Sequence, residues 1–273
     1  MIRELAETAT ETRLDAFNRR LDQAMDRSGS LVCVGLDPHP DRLEEPMVDF
    51  CRRIIDATWE AAVAYKPNSA FFEAAGPSGM ADLKTILAHR PPGRLMVLDA
   101  KRGDIGSTAK AYARAAFGVL GADAITASPY LGGDSLAPFL ADPTRGAFLL
   151  CHTSNPGAGD LQHLDVGGRP LYLEVARLAA QAWNGADNLG LVVGATYPEA
   201  LEAVRAMAPR LPFLVPGIGA QGGDLEASVR AGIDAAGRGM LISSSREIIF
   251  AGDPGEAARR LRDAIDTARS RAS

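Results

Sequence analysis

The sequence predicts an α/β fold, a (β/α)8 TIM barrel in a single domain, on three observations. Eight short apolar runs recur along its 273 residues. Most of them are continuous rather than alternating, as strands buried on both faces are. Helical patterns interleave with them at a length that suits one barrel. A doubly wound parallel sheet is the second reading of the same pattern. No Pro/Gly/Ser-rich linker divides the chain, so residues 1–273 are expected to form one domain.

Residues 1–29 read as a helical extension, because Leu14–Arg27 is amphipathic and stands before the first strand, placed to plug the lower end of a barrel. The strand runs are Leu31–Leu36, Ala62–Tyr65, Leu95–Leu98, Ala122–Thr126, Ala147–Cys151, Leu189–Val193, Pro212–Val215 and Met240–Ile242. Helices are expected at Asp41–Trp59, Thr108–Leu120, Tyr172–Trp183, Pro198–Ala208 and Leu225–Gly232. One stretch breaks the rhythm. Ser154–Arg169 carries Gly157, Gly159, Gly167, Gly168 and Asn155-Pro156, and is too long for an ordinary connector. A lid over the strand end and a surface insertion both fit it.

Composition excludes several classes. An apolar share of 47 % with 23 % charged residues is that of a globular chain. Net charge is −5, and no basic run exceeds a pair, which argues against a nucleic-acid partner. Cys33, Cys51 and Cys151 are odd in number and form no CxxC, against a disulfide framework or a zinc site. The opening Met-Ile-Arg-Glu-Leu-Ala-Glu lacks the apolar core of a signal peptide, and no stretch is long enough to span a membrane. A cytoplasmic protein is expected.

Polar residues gather where the apolar runs end, the face on which barrels carry chemistry. They are Asp37, then Lys66 and Asn68, then Asp99 and Lys101, then Thr153 and Ser154, and finally Ser245 and Arg246. Residues 95–112 are the richest. A strand points residues i and i+2 to one side, so Asp99 and Lys101 should emerge together, with Asp104 just beyond a glycine. Flanked by two carboxylates, Lys101 should stay cationic.

Gly217-Ile218-Gly219-Ala220-Gln221-Gly222 fits a dinucleotide fingerprint and follows an apolar run. Such a site needs an early βαβ unit and an acidic residue closing the next strand. Here the glycines follow the seventh run, and the eighth ends in serines and Arg246. That chemistry suits a phosphate, held by backbone N–H groups, the Gln221 amide and the planar Arg246 fork. His39, His89, His152 and His163 show no metal-ligand spacing, and no Gly-x-Ser-x-Gly elbow supports a hydrolase triad. Arg238 reads as a structural residue of the lower face in preference to a second phosphate ligand.

Asp99-x-Lys101-x-x-Asp104-Ile105 resembles the signature of the orotidine 5′-phosphate decarboxylase family. Gly35-Leu36-Asp37-Pro38, Lys66-Pro67-Asn68-Ser69-Ala70-Phe71-Phe72-Glu73 and Thr153-Ser154-Asn155-Pro156-Gly157 resemble its longer, bacterial-type branch. So do Val193-Gly194-Ala195-Thr196, Val215–Gly222 and Ser244-Ser245-Arg246. The resemblance spans roughly residues 30–250.

It implies a homodimeric barrel that converts orotidine 5′-phosphate to uridine 5′-phosphate in de novo pyrimidine synthesis, with no metal and no cofactor. Lys66, Asp99, Lys101 and Asp104 would form the catalytic charge array. Asp104, with Ile105 and Thr108, would act across the subunit interface. Asp37 would hold ribose, Ser154 the pyrimidine, and Gln221 and Arg246 the phosphate, with Asn68 and Ser245 completing the binding set. Ser128 departs from the pattern, which leads one to expect Asn before Pro129-Tyr130. Two other readings stand beside this one. One is a magnesium-dependent sugar-phosphate decarboxylase or aldolase on the same barrel, such as 3-keto-gulonate-phosphate decarboxylase, which carries an acid where this chain has Lys66. The other is a non-catalytic nucleotide-binding barrel.

Overall fold

The computed structural model describes residues 16–218 and 224–272. Eight parallel strands follow one another around a closed barrel: β1 (Val32–Leu36), β2 (Ala62–Pro67), β3 (Leu95–Arg102), β4 (Ala124–Ala127), β5 (Gly146–His152), β6 (Leu189–Val193), β7 (Phe213–Pro216) and β8 (Met240–Ser244). Val32, Cys33 and Val34 of β1 pair with Ile242, Ser243 and Ser244 of β8, so the sheet has no edge. This is the predicted TIM barrel. Every residue of β1, β2, β6 and β8 is buried, because one face fills the barrel and the other packs under helices.

The helical layer differs from expectation at identifiable places. Asp41–Trp59 is not one helix: a 3-10 turn covers Pro40–Arg42, and the helix starts afresh at Met47–Thr58. Pro46 is the reason, since it pushes the residue before it out of the helical region and itself stands well at a helix entry. The Thr108–Leu120 pattern begins earlier, as Gly106–Ala113, and continues as a π-helix over Arg114–Val119. Likewise Leu171–Leu178 runs on as a π-helix over Ala179–Trp183. Helices Ser69–Ala74, Gly76–Ala88, Gly133–Leu140 and Pro254–Ala272 were not expected from the apolar pattern.

Helix α1 (Phe17–Ser28) closes the lower end of the barrel, and Leu14 and Asp15 of its predicted span lie outside the described residues. The Phe17 ring meets Phe148 edge-on at 5.9 Å between centroids. It also fills the space a side chain on Gly146 would need. Asn18 donates to the Leu189 carbonyl, and Arg20 to the Thr144 carbonyl and to buried Asp123. Arg238 grips both carboxylate oxygens of Asp26 at 2.6 Å, which places it on the lower face in a structural role. Phe17→Ala should therefore cost about 3–5 kcal/mol, the usual range for emptying a buried aromatic site. Urea unfolding would read this as a lower midpoint with an unchanged slope.

Segment 154–169 is not featureless. It holds a 3-10 turn over Pro156–Ala158, a helical turn over Gly159–Gln162 and a bridge from Asp165 to Pro170. Gln162 exchanges two hydrogen bonds with Thr153, accepting from its N–H and donating to its hydroxyl, both at 2.8 Å. His163 Nε2 lies 2.9 Å from Nε2 of buried His152. Both contacts tie the segment back to the end of β5.

Candidate active site

The upper, C-terminal end of the barrel gathers three charges. Asp99 Oδ2 accepts from Lys66 Nζ at 2.8 Å, and its Oδ1 accepts from Lys101 Nζ at 2.6 Å. Lys66 and Asp99 are each 7 % exposed, whereas about half of the Lys101 side chain is open to the barrel mouth. Burial weighs against the Asp99 carboxylate, but the Lys66 and Lys101 ammoniums outweigh it and hold its carboxyl well below the usual range. Burial weighs against the Lys66 ammonium too. Asp99 and Asp37 overcome it and raise that group above an ordinary lysine. An ion pair this dry survives because both carboxylate oxygens are used and a second cation shares the charge.

The two residues meet by a different route from the regular pleat that sequence spacing suggested. Val97 and Leu98 pair with Ala124 and Ile125, but the next pair is Arg102 with Ala127. Asp99, Ala100 and Lys101 thus all lie opposite the single residue Thr126, a bulge in β3. Lys101 has φ +48°, a left-handed conformation that a lysine adopts only at a cost. The bulge, rather than i, i+2 alternation, swings Lys101 back onto Asp99.

Other predicted residues stand around the same mouth. Asp37 follows β1 with Oδ1 buried and unpartnered among the described residues, and its charge acts on Lys66. Ser245 follows β8. Its hydroxyl is likewise buried without a partner, and its Cβ packs so close to Gly35 that a side chain there would collide at 2.7 Å. Ser154, beyond β5, packs against Gly194 in the same way. Arg246 is exposed at the start of the short helix Arg246–Ile249 and makes no ion pair among the described residues. Asn68 bridges Asp99 through the backbone, and its Oδ1 caps helix Ser69–Ala74 by accepting from the Ala70 N–H. Gln221 lies outside the described residues.

Three predicted residues are not brought to the charge cluster within this chain. Asp104 accepts from its own Ile105 N–H at 2.8 Å and has no ion pair among the described residues. Ile105 and Thr108 are exposed beside it. Burial pushes the Cys33 and Cys51 thiols up to about 12, so neither is a nucleophile near neutral pH. A cleft of about 1250 Å³ opens at the opposite end of the barrel, lined in part by Asn18, Asp22, Arg210 and Asp234, and it contains none of the predicted site residues.

Residues 30–261 match the model of the orotidine 5′-phosphate decarboxylase / HUMPS family. The chain belongs to this family. Among its relatives, orotidine 5′-phosphate decarboxylase of Roseiflexus castenholzii is 51 % identical, over 92 % of this chain and 98 % of the other. That of an Azoarcus species is 50 % identical, over 93 % and 99 %. The OMP decarboxylase structure of Leishmania donovani superposes with a TM-score of 0.87 at 51 % identity, covering 93 % of this chain and 98 % of that one. These decarboxylases cover more than nine-tenths of the chain, somewhat further than the residues 30–250 over which the motifs resemble the family.

Two further polar residues reach this face without having been singled out for it. Thr196, beyond β6, has a buried hydroxyl without a partner among the described residues. Thr126, inside β4, contacts Asp99 directly. Of Thr196 the sequence offered only its place in a family motif. Thr126 looked like one more member of an apolar run.

Proposed function

We propose that this chain decarboxylates orotidine 5′-phosphate to uridine 5′-phosphate, through a metal-free charge array of Lys66, Asp99, Lys101 and Asp104. The observation that carries the reading is Asp99 clamped between the Lys66 and Lys101 ammoniums at the barrel mouth. In the reaction the bond from pyrimidine C6 to its carboxylate breaks, CO2 leaves, and the electron pair stays on C6. Little resonance relieves such a carbanion, so fixed charges must stabilise it. The half-open Lys101 ammonium faces the mouth, where it favours that carbanion and then donates the proton that completes the product. Asp99 and Lys66 hold Lys101 in place, and water returns its proton.

Binding follows from the same face. The unpartnered Asp37 carboxylate oxygen suits ribose hydroxyls. Asn68, whose N–H donates to the carbonyl of Leu36 next to Asp37, joins the binding set, and Ser154, beyond β5, would meet the pyrimidine. Ser245, Arg246 and Gln221 would hold the phosphate, far from the bond that breaks. Its binding energy would serve to close segment 154–169 over the site as a lid. We place Asp104, Ile105 and Thr108 in the site of a second copy of the chain. The exposed apolar side chains of Ile105, Tyr130 and Leu131 support this, since they stand on the segments that follow the neighbouring strands β3 and β4, the first of which also carries Asp104. The protein would then act as a cytoplasmic homodimer supplying pyrimidine nucleotide synthesis. No helix among the described residues is long and apolar enough to cross a membrane.

The test follows the absorbance of orotidine 5′-phosphate over time with purified protein, with and without EDTA. Loss of the substrate chromophore at equal rates in both is the expected result. Activity that EDTA removes favours a magnesium-dependent sugar-phosphate enzyme instead, to which buried Lys66 is electrostatically ill suited. Binding of uridine 5′-phosphate without turnover favours a non-catalytic barrel. Shared sites make a further prediction. Inactive Asp104→Ala and Lys101→Ala chains, refolded together, should regain about a quarter of wild-type activity, because half the dimers then hold one intact site.

A further inference from the structure

We propose that Thr126 is a positioning residue for Lys101, a role that rests on the decarboxylase reading above. The residue is 1 % exposed, and its hydroxyl is fully used. It accepts from the Ala100 N–H at 3.0 Å and from the Lys101 N–H at 2.9 Å, and it donates to Asp99 Oδ1 at 2.9 Å. A hydroxyl has one proton and two lone pairs, so nothing is left over.

The position explains the use. The bulge at Asp99–Lys101 takes two backbone amides out of the regular ladder with β4. Buried amides without acceptors are costly, and the Thr126 side chain supplies what the strand backbone cannot. The same oxygen therefore stabilises the left-handed turn at Lys101 and orients the carboxylate that grips its ammonium. Serine would supply the same three hydrogen bonds. Valine would keep the shape and supply none.

Thr126→Val should lower kcat for orotidine 5′-phosphate by about 10²-fold, the scale of a reacting group displaced by roughly an ångström. Affinity for uridine 5′-phosphate should change by less than about threefold, and Thr126→Ser should recover most of the rate. Should the valine protein not fold, Thr126→Cys takes its place: the thiol is a weak donor and acceptor and should lower kcat by about tenfold with binding kept. An unchanged kcat in valine or cysteine variants overturns the proposal. So does equal loss of binding and rate, or a serine variant no better than valine. A crystal structure of the valine variant separates this idea from the reaction itself. With Thr126 as the positioning residue, Lys101 leaves its positive φ and its contact with Asp99 lengthens, whether or not the wild-type chain turns over. Lys101 unmoved in that structure overturns the proposal, and a wild-type chain without turnover overturns the decarboxylase reading alone.

Discussion

Lys101→Ala is expected to lower the formation of uridine 5′-phosphate by roughly 10⁴-fold or more, since a single general acid contributes up to that factor and the lost charge adds to it. Binding should survive, because Lys101 is half exposed and Asp99 keeps Lys66 and Thr126 as partners once it is gone. The protein should remain folded for the same reason. Isothermal titration with uridine 5′-phosphate, set beside single-turnover assays, reads the two effects separately. Appreciable turnover in this variant refutes Lys101 as proton donor.

The second large effect is on stability as well as rate. Asp99→Asn leaves Lys66 buried beside a neutral amide, with Asp37 as its remaining carboxylate neighbour. Breaking a buried pair in this way typically costs about 3–5 kcal/mol. In a chain of this size that lowers the melting temperature by roughly ten degrees. The pH dependence has a definite sign. The Asp99 carboxyl is held below its ordinary value of 3.8, so its stabilisation is complete above that pH and is lost only as pH falls further, through the depressed folded value. The wild-type and Asp99→Asn proteins should therefore differ in melting temperature by the same amount between roughly pH 5 and 8, and the gap should narrow only in strong acid. A gap that closes at about pH 6 would contradict the ion-pair account.

The strands were legible in the sequence because a barrel buries both faces of each one, leaving uninterrupted apolar runs. β3 runs four residues past Leu98, to Arg102, because its polar end looks like a loop in the sequence. There Arg102 still pairs with Ala127 of β4, beyond the bulge. The helix Pro254–Ala272 escaped notice for a related reason. Its buried face is made largely of Ala258, Ile265 and Ala268 between many charges, so its apolar periodicity is faint. Gly76–Ala88 opens with Gly-Pro-Ser-Gly, which reads as a breaker rather than a helix entry.

Within the site, the charged residues were legible because an ammonium and a carboxylate at a strand end are costly unless they have work together. Thr126 was not, since a threonine in an apolar run is indistinguishable from packing until the bulge opposite it is seen. The contact between His152 and His163 was equally invisible, because it depends on how segment 154–169 folds back.

The proposed role of Lys101 is to stabilise and protonate a carbanion at C6, and hydrogen exchange at that carbon tests it without decarboxylation. In deuterium oxide, uridine 5′-phosphate incubated with the wild-type protein should lose its C6–H proton NMR signal, by the reverse of the proton transfer. The Lys101→Ala protein should leave the signal intact over the same period. A wild-type protein that catalyses no exchange, or an alanine variant that exchanges as fast, would contradict it.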